Sequence, residues 1–321
     1  MRIARHIALI LSFVAPAAAE DFSLSWPADC TLGETCFIQH YVDDDPTSGA
    51  SDYTCGTATY DSHKGTDIRL RSRAEMAAGV QVLAAADGVV LGLRDGMEDA
   101  ILTRETEAKI KGKDCGNGVV IRHAGGWDTQ YCHMKRGSIT VAKGERVTAG
   151  TPLGEIGLSG RTQFPHLHIS LRKDGTQVDP FDPDGQITCG APSQTTLWDR
   201  DIPYSAGGIL AAGFAPLVPS FDAIKAGTAD ETPARDAPAF VLWAYAFGGQ
   251  SGDIMRLSIT GPEGELIRHD AVLDKDQAQF FRATGKKRRA PQWPAGDYEG
   301  RASLLRGGEI IAQTDIRAAL R

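Results

Sequence analysis

No apolar run in the 321 residues approaches the roughly 20 that a membrane-spanning helix requires, so a span of ordinary length is excluded. Basic residues are outnumbered, 34 Lys and Arg against 41 Asp and Glu. An acidic chain of this kind is a poor candidate for non-specific nucleic-acid binding. None of the six cysteines stands in Cys-x-x-Cys spacing, which argues against a cysteine-ligated zinc site. Beyond residue 204 there is no cysteine and a single histidine, His269 on a turn edge, so no chemistry is expected of that region.

What is present starts with an export signal. Arg2 and Arg5 precede the apolar run Ile7 to Val14, and Pro16-Ala17-Ala18-Ala19 supplies small residues suited to cleavage before Glu20. There is no Arg-Arg pair at its start and no cysteine near the cut to carry lipid. A signal peptide over 1–19 and a soluble exported protein, periplasmic or extracellular, are therefore expected. All six cysteines lie after residue 19, and an even number in an exported chain reads as disulfides. Nearness favours Cys30 with Cys36, and a shared hairpin favours Cys115 with Cys132. Cys55 and Cys189 would then remain for each other.

The hydrophobic content of 42% and charged content of 23% are ordinary for globular domains, and the length suits two of them. Residues 20–59 are rich in Asp, Gly and Cys with little periodicity, which reads as an irregular segment pinned by disulfides. From Gly65 short β-like runs follow one another: 67–70, 80–84, 88–93, 119–123, 129–133, 152–156 and 166–171. Glycine-rich turns such as Ala124-Gly125-Gly126 separate them, so an antiparallel sheet is predicted over 60–189. The charged stretch Glu98 to Lys113 interrupts it as a helix-compatible surface insertion. After Asp179-Pro180-Phe181-Asp182-Pro183 and a linker over 190–203, alternating runs return at 239–246, 255–259, 279–283 and 297–304. They predict a small β-sandwich over 204–321.

In the stretch FPHLHISL, His166 and His168 flank Leu167 on a predicted strand, so both imidazoles face one side while Leu167 faces the other. Such a pair serves as metal ligand or acid/base, or else as two hydrogen-bonded surface groups. Ser62-His63-Lys64-Gly65-Thr66-Asp67 places a histidine and a carboxylate four apart, on a turn entering a strand. A hydrolytic zinc site takes about three His or carboxylate ligands and leaves one position to water. His63, Asp67 and one of His166 and His168 meet that count. The other, with His133 in Tyr131-Cys132-His133-Met134, is left for proton transfer or oxyanion stabilisation.

His63-Lys64-Gly65-Thr66-Asp67, Tyr131-Cys132-His133-Met134 and Pro165-His166-Leu167-His168, in that order, resemble the three motifs of the lysostaphin-type (LytM-like) zinc endopeptidases. Supporting matches run through Val82 to Val90, Gly116 to His123, Val147 to Gly160 and Val178-Asp179-Pro180. The resemblance covers roughly Tyr60 to Pro183. It implies one zinc per chain held by His63, Asp67 and His168, with His166 as general base towards water and His133 stabilising the developing charge. The implied substrate is the peptide cross-link of bacterial peptidoglycan stem peptides. His123 and Asn117 are read as structural, His40 lies outside the motifs, and Tyr53 and Tyr60 have no assigned part. Two alternatives stand beside this reading: a catalytically silent module that regulates another wall hydrolase, and an endopeptidase for exported proteins. Residues 204–321 are expected to position the enzyme, stabilise it or contact an envelope protein.

Overall fold

The computed structural model describes residues 22–186, 189 and 195–321; the expected signal peptide lies outside the described residues. The first half supplies ten strands. These are β1 (Cys36–His40), β2 (Thr66–Leu70), β3 (Gln81–Leu83), β4 (Gly88–Arg94), β5 (Asn117–Arg122) and β6 (Trp127–Met134), then β7 (Arg146–Val147), β8 (Pro152–Glu155), β9 (His166–Lys173) and β10 (Thr176–Val178). Eight of them form one antiparallel sheet in the order β1-β2-β9-β6-β5-β4-β7, with β10 paired to β9, while β3 and β8 make a separate ribbon. Alternation explains the central strand: Leu167, Ile169 and Leu171 of β9 are buried in the core with Ile68, Leu70, Val119, Ile121 and Tyr131. His166 and His168 therefore take the opposite face.

The segment 20–59 is more ordered than its composition suggests. It contributes β1, which pairs with β2 at the sheet edge, and its Leu24, Trp26, Tyr41 and Tyr53 enter the same core. Three disulfides join Cys30 to Cys36, Cys55 to Cys189 and Cys115 to Cys132. The Glu98–Lys113 insertion contains a short helix, Arg104–Ile110, started by a reciprocal Thr103/Thr106 capping box. It packs on the 158–162 loop, where Asp99 accepts from Leu158 N at 2.8 Å and Glu107 meets Arg161 at 3.0 Å.

The second half is an antiparallel sandwich. One sheet has β11 (Gly208–Ala215), β12 (Ala239–Gly249) and β15 (Gln277–Lys287); the other has β13 (Ile254–Gly261), β14 (Gly264–Val272), β16 (Gly296–Arg306) and β17 (Glu309–Leu320). Period-two burial of Met255, Leu257 and Ile259 against Phe214, Phe240, Leu304 and Tyr298 forms its core. The two halves meet along an aromatic and polar seam. Tyr204 stacks on Tyr41 and its hydroxyl donates to Asp52 at 2.7 Å, and Phe37 meets Phe247 edge-on. Among the described residues no helix is long and apolar enough to cross a membrane.

Candidate metal centre

Strand register brings the site together. Asp67 of β2 stands opposite His168 of β9, which in turn stands opposite Cys132 of β6, next to His133. His63 enters from the turn before β2. A ligand atom from each of His63, Asp67 and His168 lies within 4.8 Å of the others, and among the described residues this is the group of three able to hold a metal ion. Asp67 Oδ1 lies 3.1 Å from His63 Nε2 and 2.9 Å from His168 Nδ1, and the two ring nitrogens are 3.1 Å apart.

The proton on His63 can be located. Its Nδ1 lies 2.6 Å from the carbonyl of Tyr41, which only accepts, so Nδ1 donates and Nε2 is left with a lone pair. Lone pairs of His63 Nε2 and Asp67 Oδ1 then face one another in a buried space, and His168 Nδ1 completes the group, donating to Asp67 when it carries the ring proton and offering a lone pair when the proton is on Nε2. Facing lone pairs repel unless a proton or a cation lies between them, and a set of two imidazoles and one carboxylate suits zinc while leaving a coordination position open. These residues fit the metal. Gly65 belongs to the same arrangement: a Cβ there would lie 2.7 Å from His168 Nε2 and 2.5 Å from the carbonyl of Ile169. Only hydrogen lets the histidine ring lie over the turn.

The electrostatics follow from burial and one carboxylate. Burial alone would push Asp67 up, yet charge on His63 and His166 and hydrogen bonds from His166 and His168 hold it well below the usual carboxylate range. Burial opposes the charged form of His63 too, but Asp67 outweighs it and raises the pKa. His168 is lowered by burial, only partly offset by Asp67. His133 is held well below the ordinary histidine value by burial and by its neighbours His166 and His168.

His133 and His166 lie beside this cluster with ring centroids 4.6 Å apart. Each donates from Nδ1 to a main-chain carbonyl, Ser159 O at 2.7 Å for His133 and Phe164 O at 2.9 Å for His166. Each therefore leaves Nε2 available, and that of His166 stands 3.4 Å from Asp67 Oδ1. His133 has φ 61°, an uncommon left-handed conformation for histidine. It follows directly on the disulfide-bonded Cys132, and its N–H donates to Cys115 O at 2.8 Å.

Residues 61–180 match the model of peptidase family M23. The chain carries an M23 peptidase domain. That domain is 32% identical over 124 residues to peptidoglycan DD-endopeptidase ShyC of Vibrio cholerae, a stretch covering 39% of this chain and 23% of that protein. It is 34% identical over 116 residues to the DD-carboxypeptidase/endopeptidase Mpg of Neisseria meningitidis serogroup B, covering 35% and 22%. The match thus spans less than a quarter of the length of these curated relatives. A solved zinc-containing peptidase from Vibrio cholerae aligns at 27% identity and a TM-score of 0.29 over 46% of this chain and 39% of that one.

Other residues around the M23 site divide by what they touch. His123 bonds to Asp87 O and the Thr129 hydroxyl, and Asn117 to the backbone of Met97 and Met134, both structural contacts. Tyr53 is buried in the core, whereas Tyr60 is half exposed and its ring lies 4.5 Å from that of His63. His40, outside every sequence motif, reaches Asp67 Oδ2 at 3.0 Å through Nδ1. Burial lowers its pKa, against the pull of that same hydrogen bond. The one signal that could have found His40 is its place at the end of an alternating run, Cys36–His40, and that run is too short to weigh.

Proposed function

We propose that this protein is an exported zinc metalloendopeptidase that hydrolyses peptide cross-links of bacterial peptidoglycan. The carrying observation is the convergence of His63 Nε2, Asp67 Oδ1 and His168 Nδ1 with the His133 and His166 rings alongside. His63, Asp67 and His168 would hold the metal, which when bound supplies a Lewis acid and eases ionisation of water.

The chain's own residues then divide the proton work. His166 rests with Nδ1–H tied to Phe164 O, so a proton taken from water arrives at Nε2. That nitrogen stands 3.4 Å from Asp67 Oδ1, beside the metal ligands, which suits His166 to the part of base. Among the described residues no carboxylate stands in hydrogen-bonding contact with His133. Because its Nδ1–H is tied to Ser159 O, it donates from Nε2 only as imidazolium, and burial disfavours that state at rest. Negative charge developing on the substrate carbonyl supplies what the resting site lacks, so His133 is assigned to stabilise it.

The test is digestion of purified sacculi by the mature protein, with and without chelator, with released fragments identified by mass spectrometry. Chelator-sensitive release of cross-link products is expected. His166→Ala should keep its metal and lose activity, and His168→Ala should lose both. Stoichiometric zinc without any release would leave the silent regulatory module as the better reading.

A further inference from the structure

Arg69 is among the most deeply buried side chains of the molecule, at 1% exposure, and among the described residues its hydrogen-bond partners are neutral, with no carboxylate in ion-pair contact. Its guanidinium lies 4.6 Å from the ring centroid of Phe164 and 5.5 Å from that of Tyr245 on β12 of the sandwich. Burying an unpaired cation is costly unless its N–H groups are taken up. Three of the five are: Nη1 donates to Gln39 Oε1, Nη2 to the Tyr245 hydroxyl at 3.1 Å and Nε to Leu70 O at 3.2 Å. The Tyr245 hydroxyl passes its own hydrogen to Gln279 Oε1.

A guanidinium can only donate, and this fixes the direction of every bond that follows. Gln39 must turn its oxygen to Arg69, so its amide N–H faces His40 Nε2 at 3.3 Å. His40 Nε2 therefore accepts, its proton resides on Nδ1, and Nδ1 donates to Asp67 Oδ2. The second carboxylate oxygen is thereby occupied, and Oδ1 alone is presented to His63 and His168. We propose that the C-terminal sandwich completes the M23 metal centre from behind: Tyr245, through Arg69, Gln39 and His40, sets the orientation of Asp67. Tyr245, Arg69, Gln39 and His40 are positioning residues in this account, which rests on reading His63, Asp67 and His168 as the metal ligands. Hydrogen-bond partners of this kind, one shell outside the ligands, tune metal affinity by orienting them.

The experiment measures zinc affinity of the full mature chain by competition with a chromophoric chelator, with cobalt absorption spectra as a second readout. His40→Ala should weaken zinc roughly 10- to 100-fold, and His40→Asn, whose amide N–H stands where Nδ1–H stood, should recover most of it. Tyr245→Phe keeps the ring over Arg69 and removes only the hydroxyl, so it should fold normally by near-ultraviolet circular dichroism yet bind zinc less tightly. The double variant His40→Ala/Tyr245→Phe should bind no worse than His40→Ala, because the chain is already cut. Unchanged affinity in Tyr245→Phe, or losses that multiply in the double variant, overturns the proposal while zinc binding by the parent stands. A parent that takes up no zinc overturns the metal reading itself, and the positioning chain with it.

Discussion

Replacing Cys115 and Cys132 together by alanine should cost both stability and turnover, by separable routes. The bridge closes a loop with a sequence separation of 17. The chain-entropy relation puts the stabilisation from a loop of that size at about 3 kcal/mol. At a few degrees per kcal/mol for a protein of this size, Tm should fall by roughly 6–10 °C. The route to turnover runs through His133, the next residue. Its left-handed backbone stores about 1–3 kcal/mol, and the main-chain bond to Cys115 O returns about 1 kcal/mol. Without the bridge that bond and the one from Nδ1 to Ser159 O, about 2 kcal/mol together, only balance the strain, so His133 should sample more ordinary conformations. A displacement near 1 Å at a catalytic group costs roughly 100-fold in rate. Thermal unfolding at fixed zinc measures the first effect, and initial rates of dye release from labelled sacculi at 20 °C, where the variant is still folded, measure the second. A lowered Tm with an unchanged rate would refute the claim that the disulfide positions His133. A matching fall in zinc affinity would place the loss at the metal ligands instead.

Two further outcomes concern pH. His63 is raised above the ordinary histidine value, so the metal-free protein carries a proton there below that raised pKa, and zinc must displace it. Calorimetric titration in two buffers of different ionisation enthalpy should show close to one proton released per zinc at pH 6. The His63 contribution falls as pH rises through the raised pKa, while water on the metal gives up its own proton at higher pH; release far below one proton at pH 6 would contradict the assignment of His63 as a ligand. Asp44, half-buried, is pushed up to about 6 by burial and by Asp182, Asp43 and Asp52. The folded state then holds this proton more tightly than the unfolded chain, so stability falls as pH rises from about 4 to about 6 and stays lowered above. Screening at a partly exposed group reduces the effect to about 1 kcal/mol. Asp44→Asn should raise Tm by a few degrees at pH 7.5 and leave it unchanged at pH 3, below the unfolded pKa, and a lowered Tm at pH 7.5 would show that the carboxylate holds something in place.

Strands with one buried face could be read from the chain because burial imposes a period of two, as in Met255, Leu257 and Ile259. Strands β11, β14 and β17 escaped this reading. In β14 most side chains are exposed on both faces, so no alternation is imposed; β17 does alternate from Ala312 to Leu320, but Ala312, Thr314 and Ala318 on its inward face are too small or polar to announce it, and in β11 small residues blur the pattern likewise. Strand β1 was hidden by its length and by the Cys- and Asp-rich sequence around it. The ordered motifs around His63, His133 and His168 were visible in the sequence because each motif is local, a few residues whose backbone turn or strand sets their relative direction.

The residues by themselves determined the antiparallel β class and put forward His63, Asp67 and His168 as candidate ligands, since residue type and short-range periodicity are properties of adjacent positions. Tertiary structure alone decided which imidazole meets which oxygen. Asp67 and His168 are 101 residues apart, and their contact exists because the register of β2 on β9 sets them opposite each other. Arg69 and Tyr245 are 176 apart and belong to different halves of the chain. A buried guanidinium accepts whatever neighbours satisfy its N–H groups, and no local pattern announces which ones the fold will bring.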